Sequence, residues 1–242
     1  MATLPGDLNE RVGDAVKSFW KKRIEQDQKQ KQDGKSDQGA RSAVTGGAQM
    51  NGFIDLLRDL IISTGVCNTE IFYNKAIELP GYFRPTKEWD LLVVSQNGLL
   101  VAIEVKSQIG PSFGNNFNNR TEEAMGSALD FWTAYRQGVF KKSMQPWLGY
   151  LFLLEDCPRS RTPVKVSESH FEVLPEFKNA SYADRYKIFC KKLILERQYS
   201  STAFIMSSLE DGLQGKYSEP ASDINFEQFA RSLVAYTGAY VK

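Results

Sequence analysis

Trp89-Asp90-Leu91-Leu92-Val93-Val94, then Gln96-Asn97-Gly98, then Leu99 to Ser107 with Val101-Ala102-Ile103-Glu104-Val105-Lys106 inside it, is the stretch on which the fold turns. Two apolar runs of strand length flank an Asn-Gly pair, the strongest short-range hairpin signal. Both runs carry charge where an ordinary strand would be apolar: Asp90, Glu104 and Lys106. A buried charge is costly unless it is paired or ligates a metal. Strand alternation puts Glu104, Lys106 and Gln108 on one face, and a tight hairpin brings Asp90 within reach of it. Two adjacent carboxylates repel, and a hard divalent cation relieves the repulsion. A lysine beside them can hold a phosphate or lower the pKa of an attacking water. The set suits metal-assisted phosphodiester hydrolysis; the competing reading is a structural ion pair at a strand edge. Other acid-x-Lys copies, at Asp27-Gln28-Lys29, Asp33-Gly34-Lys35 and Glu176-Phe177-Lys178, lie in polar or loop-like context with no acid-bearing strand before them.

Working outward, Leu8, Val12, Val16, Phe19 and Trp20 recur at helical spacing and predict an N-terminal helix over residues 8–24. Composition from Glu25 to Gln49 is Gln, Lys, Asp, Gly and Ser, which reads as a frayed helix end and a mobile loop. A division follows: residues 1–49 as an N-terminal extension and 50–242 as the main domain. Phe53, Ile54, Leu57, Leu60 and Ile61 predict an amphipathic helix ending near Gly65. Glu70–Leu79 reads as a strand, with Pro80-Gly81 and Arg84-Pro85 punctuating a loop after it. Beyond the hairpin come a Gly/Asn-rich loop over 109–120, a helix over Thr121–Arg136 and a buried strand over Trp147–Leu154. A helix over Tyr182–Tyr199, a short strand over Ala203–Ser207 and an amphipathic helix over Phe226–Tyr236 close the chain. The order αβββαβαβα describes an α/β fold, a mixed sheet with helices on both faces.

Absences narrow the chemistry. His170 is the only histidine, in a neighbourhood unlike a histidine-dependent nuclease motif. No GxxxxGK[ST] loop is present, so ATP is not expected, and no GxSxG elbow appears. Cys67, Cys157 and Cys190 form no CxxC pair, which argues against a zinc site and for a reducing compartment. With no secretory pattern at the N-terminus and no apolar run of spanning length, a soluble cytoplasmic protein without a membrane partner is expected. Net charge is +1, against a large indiscriminate nucleic-acid footprint. Basic residues are nonetheless clustered, at Arg159, Arg161 and Lys165 and again at Arg185, Lys187, Lys191, Lys192 and Arg197.

Asp90 followed by Glu104-Val105-Lys106 resembles the PD-(D/E)xK nuclease core, with Trp89 where that family carries proline. Glu104-Val-Lys-Ser-Gln-Ile-Gly-Pro-Ser-Phe-Gly-Asn-Asn-Phe-Asn-Asn-Arg-Thr-Glu-Glu-Ala124 is similar to the XhoI-type restriction endonucleases, as is Asp184-Arg-Tyr-Lys-Ile-Phe-Cys-Lys-Lys-Leu-Ile-Leu-Glu-Arg197, and the likeness covers nearly the whole chain. The resemblance implies a restriction-endonuclease-like core with an N-terminal helical extension. It implies a type II enzyme that cuts double-stranded DNA at the palindrome CTCGAG after the first C, leaving 5′ overhangs. Asp90, Glu104 and Lys106 would be catalytic, and Asp90, Glu104 and the Val105 carbonyl would hold Mg2+. A palindrome presents two equivalent bonds, which a two-fold homodimer matches most simply. Other readings of the same residues are a structure-selective repair or junction nuclease and a DNA-binding module without catalysis.

Around the centre, Gln108 and Asp55 are expected as supporting polar groups. Asn115, Asn116, Asn118, Asn119 and Arg120 follow the catalytic strand, and Asn and Arg read adenine and guanine bidentately in the major groove. The bland alternative for the asparagines is turn and capping positions, with Asn119 or Thr121 capping the next helix. Arg185, Lys191 and Lys192 are expected to meet the DNA backbone.

Overall fold

A computed structural model describes residues 3–32, 47–95, 98–141 and 143–241. Its centre is the expected hairpin: β4 (Leu91–Ser95) pairs antiparallel with β5 (Gly98–Gln108), Leu91 opposite Ile103 and Val93 opposite Val101. Gln96 and Asn97, on which the turn reading rests, lie outside the described residues. β5 then pairs parallel with β6 (Trp147–Glu155), and β6 parallel with β7 (Ser201–Ser207). A short β1 (Ile71–Phe72) joins β4 antiparallel, completing a five-stranded mixed sheet in the order β1-β4-β5-β6-β7. β6 and β7 are buried on both faces, which explains their near-continuous apolar sequences.

Residue parity divides the sheet into two cores. Leu91, Val93, Val101, Ile103, Val105, Leu151 and Ile205 face α1 (Leu8–Gln32), α2 (Asn51–Ile62) and the final helix. Leu92, Ala102, Tyr150, Phe152, Leu154 and Phe204 face the other way, under α3 (Phe113–Arg136) and α4 (Tyr182–Leu195). Glu104, Lys106 and Gln108 share the parity of this second face. Helix α1 is anchored in the first core by Val12, Val16, Phe19 and Trp20, and the Trp20 indole donates to Ser207 Oγ at 3.2 Å. The final helix, α5 (Phe226–Tyr240), buries Phe226, Phe229 and Leu233 in the same core, so its apolar face is spent within this chain. No helix among the described residues is long and apolar enough to cross a membrane.

Four expectations differ. The strand expected over Glu70–Leu79 is instead β1 and, after a bend, β2 (Glu78–Pro80), which pairs with β3 (Thr86–Glu88) in a separate two-stranded ribbon. The helix expected to reach Tyr199 ends at Leu195, and Arg197 takes a left-handed φ of 53° as the chain turns into β7. The N-terminal helix runs on to Gln32; the loop expected after it falls at 33–46, outside the described residues. Residues 113–120, expected in a loop, form the first two turns of α3, and the cap position is Ser112 rather than Asn119 or Thr121. Four asparagines there each cost up to about 0.7 kcal/mol of helix propensity. Phe113 and Phe117, one turn apart, outweigh this: Phe113 stacks on Tyr182 at 5.8 Å and Phe117 meets Tyr186 edge-on at 5.0 Å. Such pairs contribute about 0.5–1.5 kcal/mol each beyond the area they bury.

Candidate active site

Asp90 stands one residue before β4, where its N–H still donates to the Ile103 carbonyl at 3.1 Å. Past that bond β4 offers β5 no further partner, and the Asp90 side chain takes its place: Oδ2 accepts from the Val105 N–H at 2.7 Å. In a ladder a residue's N–H and C=O point toward the same neighbour, so the Val105 carbonyl lies on the same open edge. Glu104, 2% exposed, projects from β5 onto the second face. Lys106 Nζ bridges the acids, 3.4 Å from Asp90 Oδ2 and 3.3 Å from Glu104 Oε1. The structure therefore brings Asp90, Glu104 and Lys106 into one cluster.

A second ammonium, absent from the sequence reading, completes it. Lys87, from β3, lies 3.0 Å from Glu104 Oε1, and its side chain is only 12% exposed. Its Nζ also sits 4.6 Å above the ring of Trp89, the residue in the slot where proline was expected. Trp89 is buried and packs edge-on against Phe131 of α3. Opposite, the Tyr199 hydroxyl lies 3.3 Å from Glu104 Oε2 and 3.1 Å from the Ala124 carbonyl, one proton between two acceptors. Tyr150, register partner of Glu104 on β6, is fully buried with no partner for its hydroxyl among the described residues.

Charge balance decides protonation. Burial pushes the Glu104 carboxyl up, but Lys106 and Lys87 together outweigh it, and the group is held below the usual glutamate value. Burial likewise pulls Lys106 down; Glu104 and Asp90 outweigh it, and its pKa ends above the usual lysine value despite the opposing charge of Arg120. Burial raises Tyr150 and Tyr199 well above an ordinary phenol, so both stay neutral. The cluster is two carboxylates balanced by two ammoniums.

These residues fit a hard divalent cation. The donors are oxygens, the two acids lie close enough to share the Lys106 ammonium, and the Val105 carbonyl lies on the same edge. Among the described residues there is no group of three or more His, Cys, Asp or Glu side chains that could hold a metal, and Cys67, Cys157 and Cys190 are free thiols.

The flanking candidates fare unevenly. Gln108 shares the face but points away from the cluster, donating to the Phe113 carbonyl at 3.1 Å and accepting from the Tyr186 hydroxyl. It ties the end of β5 to the starts of α3 and α4. Asp55 is not brought in: α2 packs on the opposite sheet face, and Asp55 pairs with Arg58 at 3.5 Å. On α3, Asn115, Asn118 and Asn119 are exposed along one helix face. Arg120 shares a side with the half-buried Asn116, lies near enough to oppose the Lys106 charge, and pairs with Glu123 at 2.6 Å. On α4, Arg185 donates to the Val164 carbonyl at 3.1 Å, Lys191 pairs with Asp223 at 2.9 Å and Lys192 with Glu176 at 2.7 Å. None of these three contacts the cluster.

Lys87 and Tyr199 were missed for different reasons. Lys87 falls in a Pro- and Gly-punctuated stretch that reads as a loop, although Thr86-Lys87-Glu88 directly precedes Trp89-Asp90. Tyr199 lies 95 residues from Glu104, and nothing local marks it.

Comparison with known proteins gives a consistent answer. The family described as restriction endonuclease XhoI matches residues 29–219. The chain is 56% identical over 211 residues to the type II restriction enzyme BstVI of Geobacillus stearothermophilus, covering 85% of this chain and 94% of that protein. It is 44% identical over 186 residues to XhoI of Xanthomonas vasicola, covering 75% and 73%. It is 48% identical over 172 residues to AbrI of Azospirillum brasilense, covering 71% and 77%. No solved structure matches the chain.

Proposed function

The chain belongs to the XhoI family of restriction endonucleases and is a type II, site-specific deoxyribonuclease, and from that premise we propose that it cuts duplex DNA by Mg2+-dependent hydrolysis at the cluster of Asp90, Glu104 and Lys106. The observation that carries this reading is Lys106 Nζ within 3.4 Å of Asp90 Oδ2 and 3.3 Å of Glu104 Oε1, which gathers two carboxylates and an ammonium in one half-buried place.

Asp90, Glu104 and the Val105 carbonyl would hold the cation. When bound, it neutralises charge on the scissile phosphate and acidifies the attacking water. The protein's own groups do the rest. The Val105 N–H fixes Asp90 in a ligating orientation. Tyr199 holds the rear oxygen of Glu104, leaving the front one to face the reaction. Lys106, charged at neutral pH, stands where its ammonium would meet the scissile phosphate or the attacking water. In a site without histidine, a positioned ammonium is the remaining device for stabilising developing charge.

The proposed target is the palindrome CTCGAG, cut after the first C to leave 5′ overhangs; the similarity of residues 104–124 and 184–197 to the family supports it. Asn115, Asn116, Asn118, Asn119 and Arg120, on the first two turns of α3, read bases, while Arg185, Lys191 and Lys192 meet the backbone. Residues 50–242 form the nuclease domain, with 1–49 as an extension. The enzyme acts in the cytoplasm as a homodimer, one protomer per strand. Digesting a plasmid with and without Mg2+, then sequencing the ends, tests the reading. Cleavage in Mg2+ at CTCGAG with four-base 5′ ends is expected, since cutting after the first base of six leaves four unpaired; metal-independent cutting or another end structure would contradict it.

A further inference from the structure

Glu104 Oε1 receives two ammoniums, Lys87 at 3.0 Å and Lys106 at 3.3 Å, while Oε2 faces Tyr199. A cation ligated through Oε1 must therefore displace one of them. Lys106 also holds Asp90 and extends from the central strand β5. Lys87 has no second carboxylate; its other polar contact is the Glu88 carbonyl at 3.1 Å, and it stands on the β2–β3 ribbon, outside the five-stranded sheet. The ring of Trp89, 4.6 Å from Nζ, offers a displaced ammonium a surface on which to rest.

We infer that Lys87 is a positioning residue that occupies the cation's place on Glu104 in the DNA-free enzyme and yields it when a DNA phosphate draws its ammonium away. The inference rests on the reading of Asp90 and Glu104 as cation ligands. Without DNA, a cation entering the cluster meets two ammoniums and must compete with both. A phosphate at the cluster gives Lys87 another anionic partner, and Glu104 is then released to the metal. Metal and DNA thereby bind cooperatively, and linkage requires each to raise the other's affinity by the same factor. The enzyme so built holds its cation weakly until a duplex is in place.

Ca2+ binding tests this without cleavage. Its affinity is measured by calorimetry for the wild-type enzyme, Lys87→Gln, Lys87→Met, Lys87→Arg and Glu104→Gln, each alone and with a duplex carrying CTCGAG, with thermal melts to confirm folding. Lys87→Gln and Lys87→Met are expected to tighten DNA-free Ca2+ binding about tenfold, equivalent to about 1.4 kcal/mol of removed competition, and to shrink the enhancement that DNA brings. Lys87→Arg keeps the charge and should stay near wild type. If both neutral variants bind Ca2+ as weakly as wild type while Glu104→Gln abolishes binding, the role of Lys87 is overturned and the cation site stands. If Glu104→Gln leaves Ca2+ binding intact, the cation site is itself wrong and the inference falls with it.

Discussion

The Val105 N–H donates to Asp90 Oδ2 at 2.7 Å, so the first acid of the cluster is held by the strand that carries the second. The ladder of β4 with β5 begins at Leu91 and the Asp90 N–H, and on the N-terminal side of that bond an aspartate side chain occupies the next position on the edge of β5. That substitution of side chain for backbone sets the separation of the two carboxylates independently of any loop. It also makes Asp90 a structural group as well as a candidate ligand, which shapes what its variants should do.

Glu104→Ala and Asp90→Ala should each reduce cleavage by about a hundred- to a thousandfold or more, the scale on which loss of one preorganised electrostatic group acts. Their stabilities should differ. Glu104→Ala leaves Lys87 and Lys106 facing each other in a half-buried space, whereas Asp90→Ala leaves a buried-edge N–H without an acceptor, at about 1–3 kcal/mol. Lys106→Ala should cost several orders of magnitude in rate while the protein remains folded. Single-turnover rates on a plasmid substrate, paired with thermal melts, would check all three; a variant cutting near the wild-type rate would contradict the assignment of that residue.

Asp130, on α3, governs the ribbon that carries Lys87. Its side chain, 5% exposed, accepts from the backbone N–H groups of Tyr82 at 2.8 Å and Phe83 at 2.7 Å and pairs with Arg84 at 2.9 Å. Burial pushes its pKa up, but the Phe83 and Tyr82 N–H groups and Arg84 outweigh it, and the carboxyl is held below the usual aspartate value. A depressed carboxyl contributes stability that is full above about pH 4, the unfolded-chain value, and is lost as pH falls through the folded one. Asp130→Ala should therefore cost about 2–3 kcal/mol near neutral pH by leaving two N–H groups unpaired. Denaturant melts as a function of pH should show the gap between wild type and variant closing on the acid side of pH 4. A gap that does not depend on pH would count against this origin.

Arg120 and the lysines of α4 should behave differently from one another. Arg120, beside the cluster, should lose about 1–3 kcal/mol of discrimination between the cognate duplex and one with a single wrong base pair when changed to Ala, if its partner is a base. Lys191 and Lys192 are paired with Asp223 and Glu176. Removing either breaks an exposed pair of about 0–1 kcal/mol and should weaken binding to all sequences alike, with a shallower salt dependence. Affinities for cognate, mismatched and random duplexes at two salt concentrations distinguish these outcomes. Equal losses on all three for Arg120→Ala would make it a phosphate contact or a support of α3.

The hairpin and its acid-x-Lys pattern were legible because buried charge in apolar strands is unusual enough to be noticed without a structure. The two-faced sheet was legible from the same alternation. The start of α3 was not, because four asparagines outweigh local helix preference, and only the packing of Phe113 and Phe117 on Tyr182 and Tyr186 reverses it. The spacing of those two phenylalanines was the overlooked signal. Lys87 and Tyr199 reach Glu104 from the ribbon and from the turn between α4 and β7, through contacts that no periodicity reports. Asp55 was expected because nucleases of the resembling core add an acid from the helix before the hairpin, but which face of the sheet a helix covers is decided by chain crossings, not by the helix's own sequence.

The central claim is that Asp90, Glu104 and the Val105 carbonyl hold one divalent cation at the cutting centre. Anomalous diffraction from the enzyme bound to a CTCGAG duplex and soaked in Mn2+ tests it most directly. The account predicts a manganese peak within roughly 2.0–2.4 Å of one oxygen from each of the three, bracketing the spacings hard cations take with oxygen ligands, and with the scissile phosphate on its open side. A peak elsewhere in the DNA-bound enzyme would contradict it.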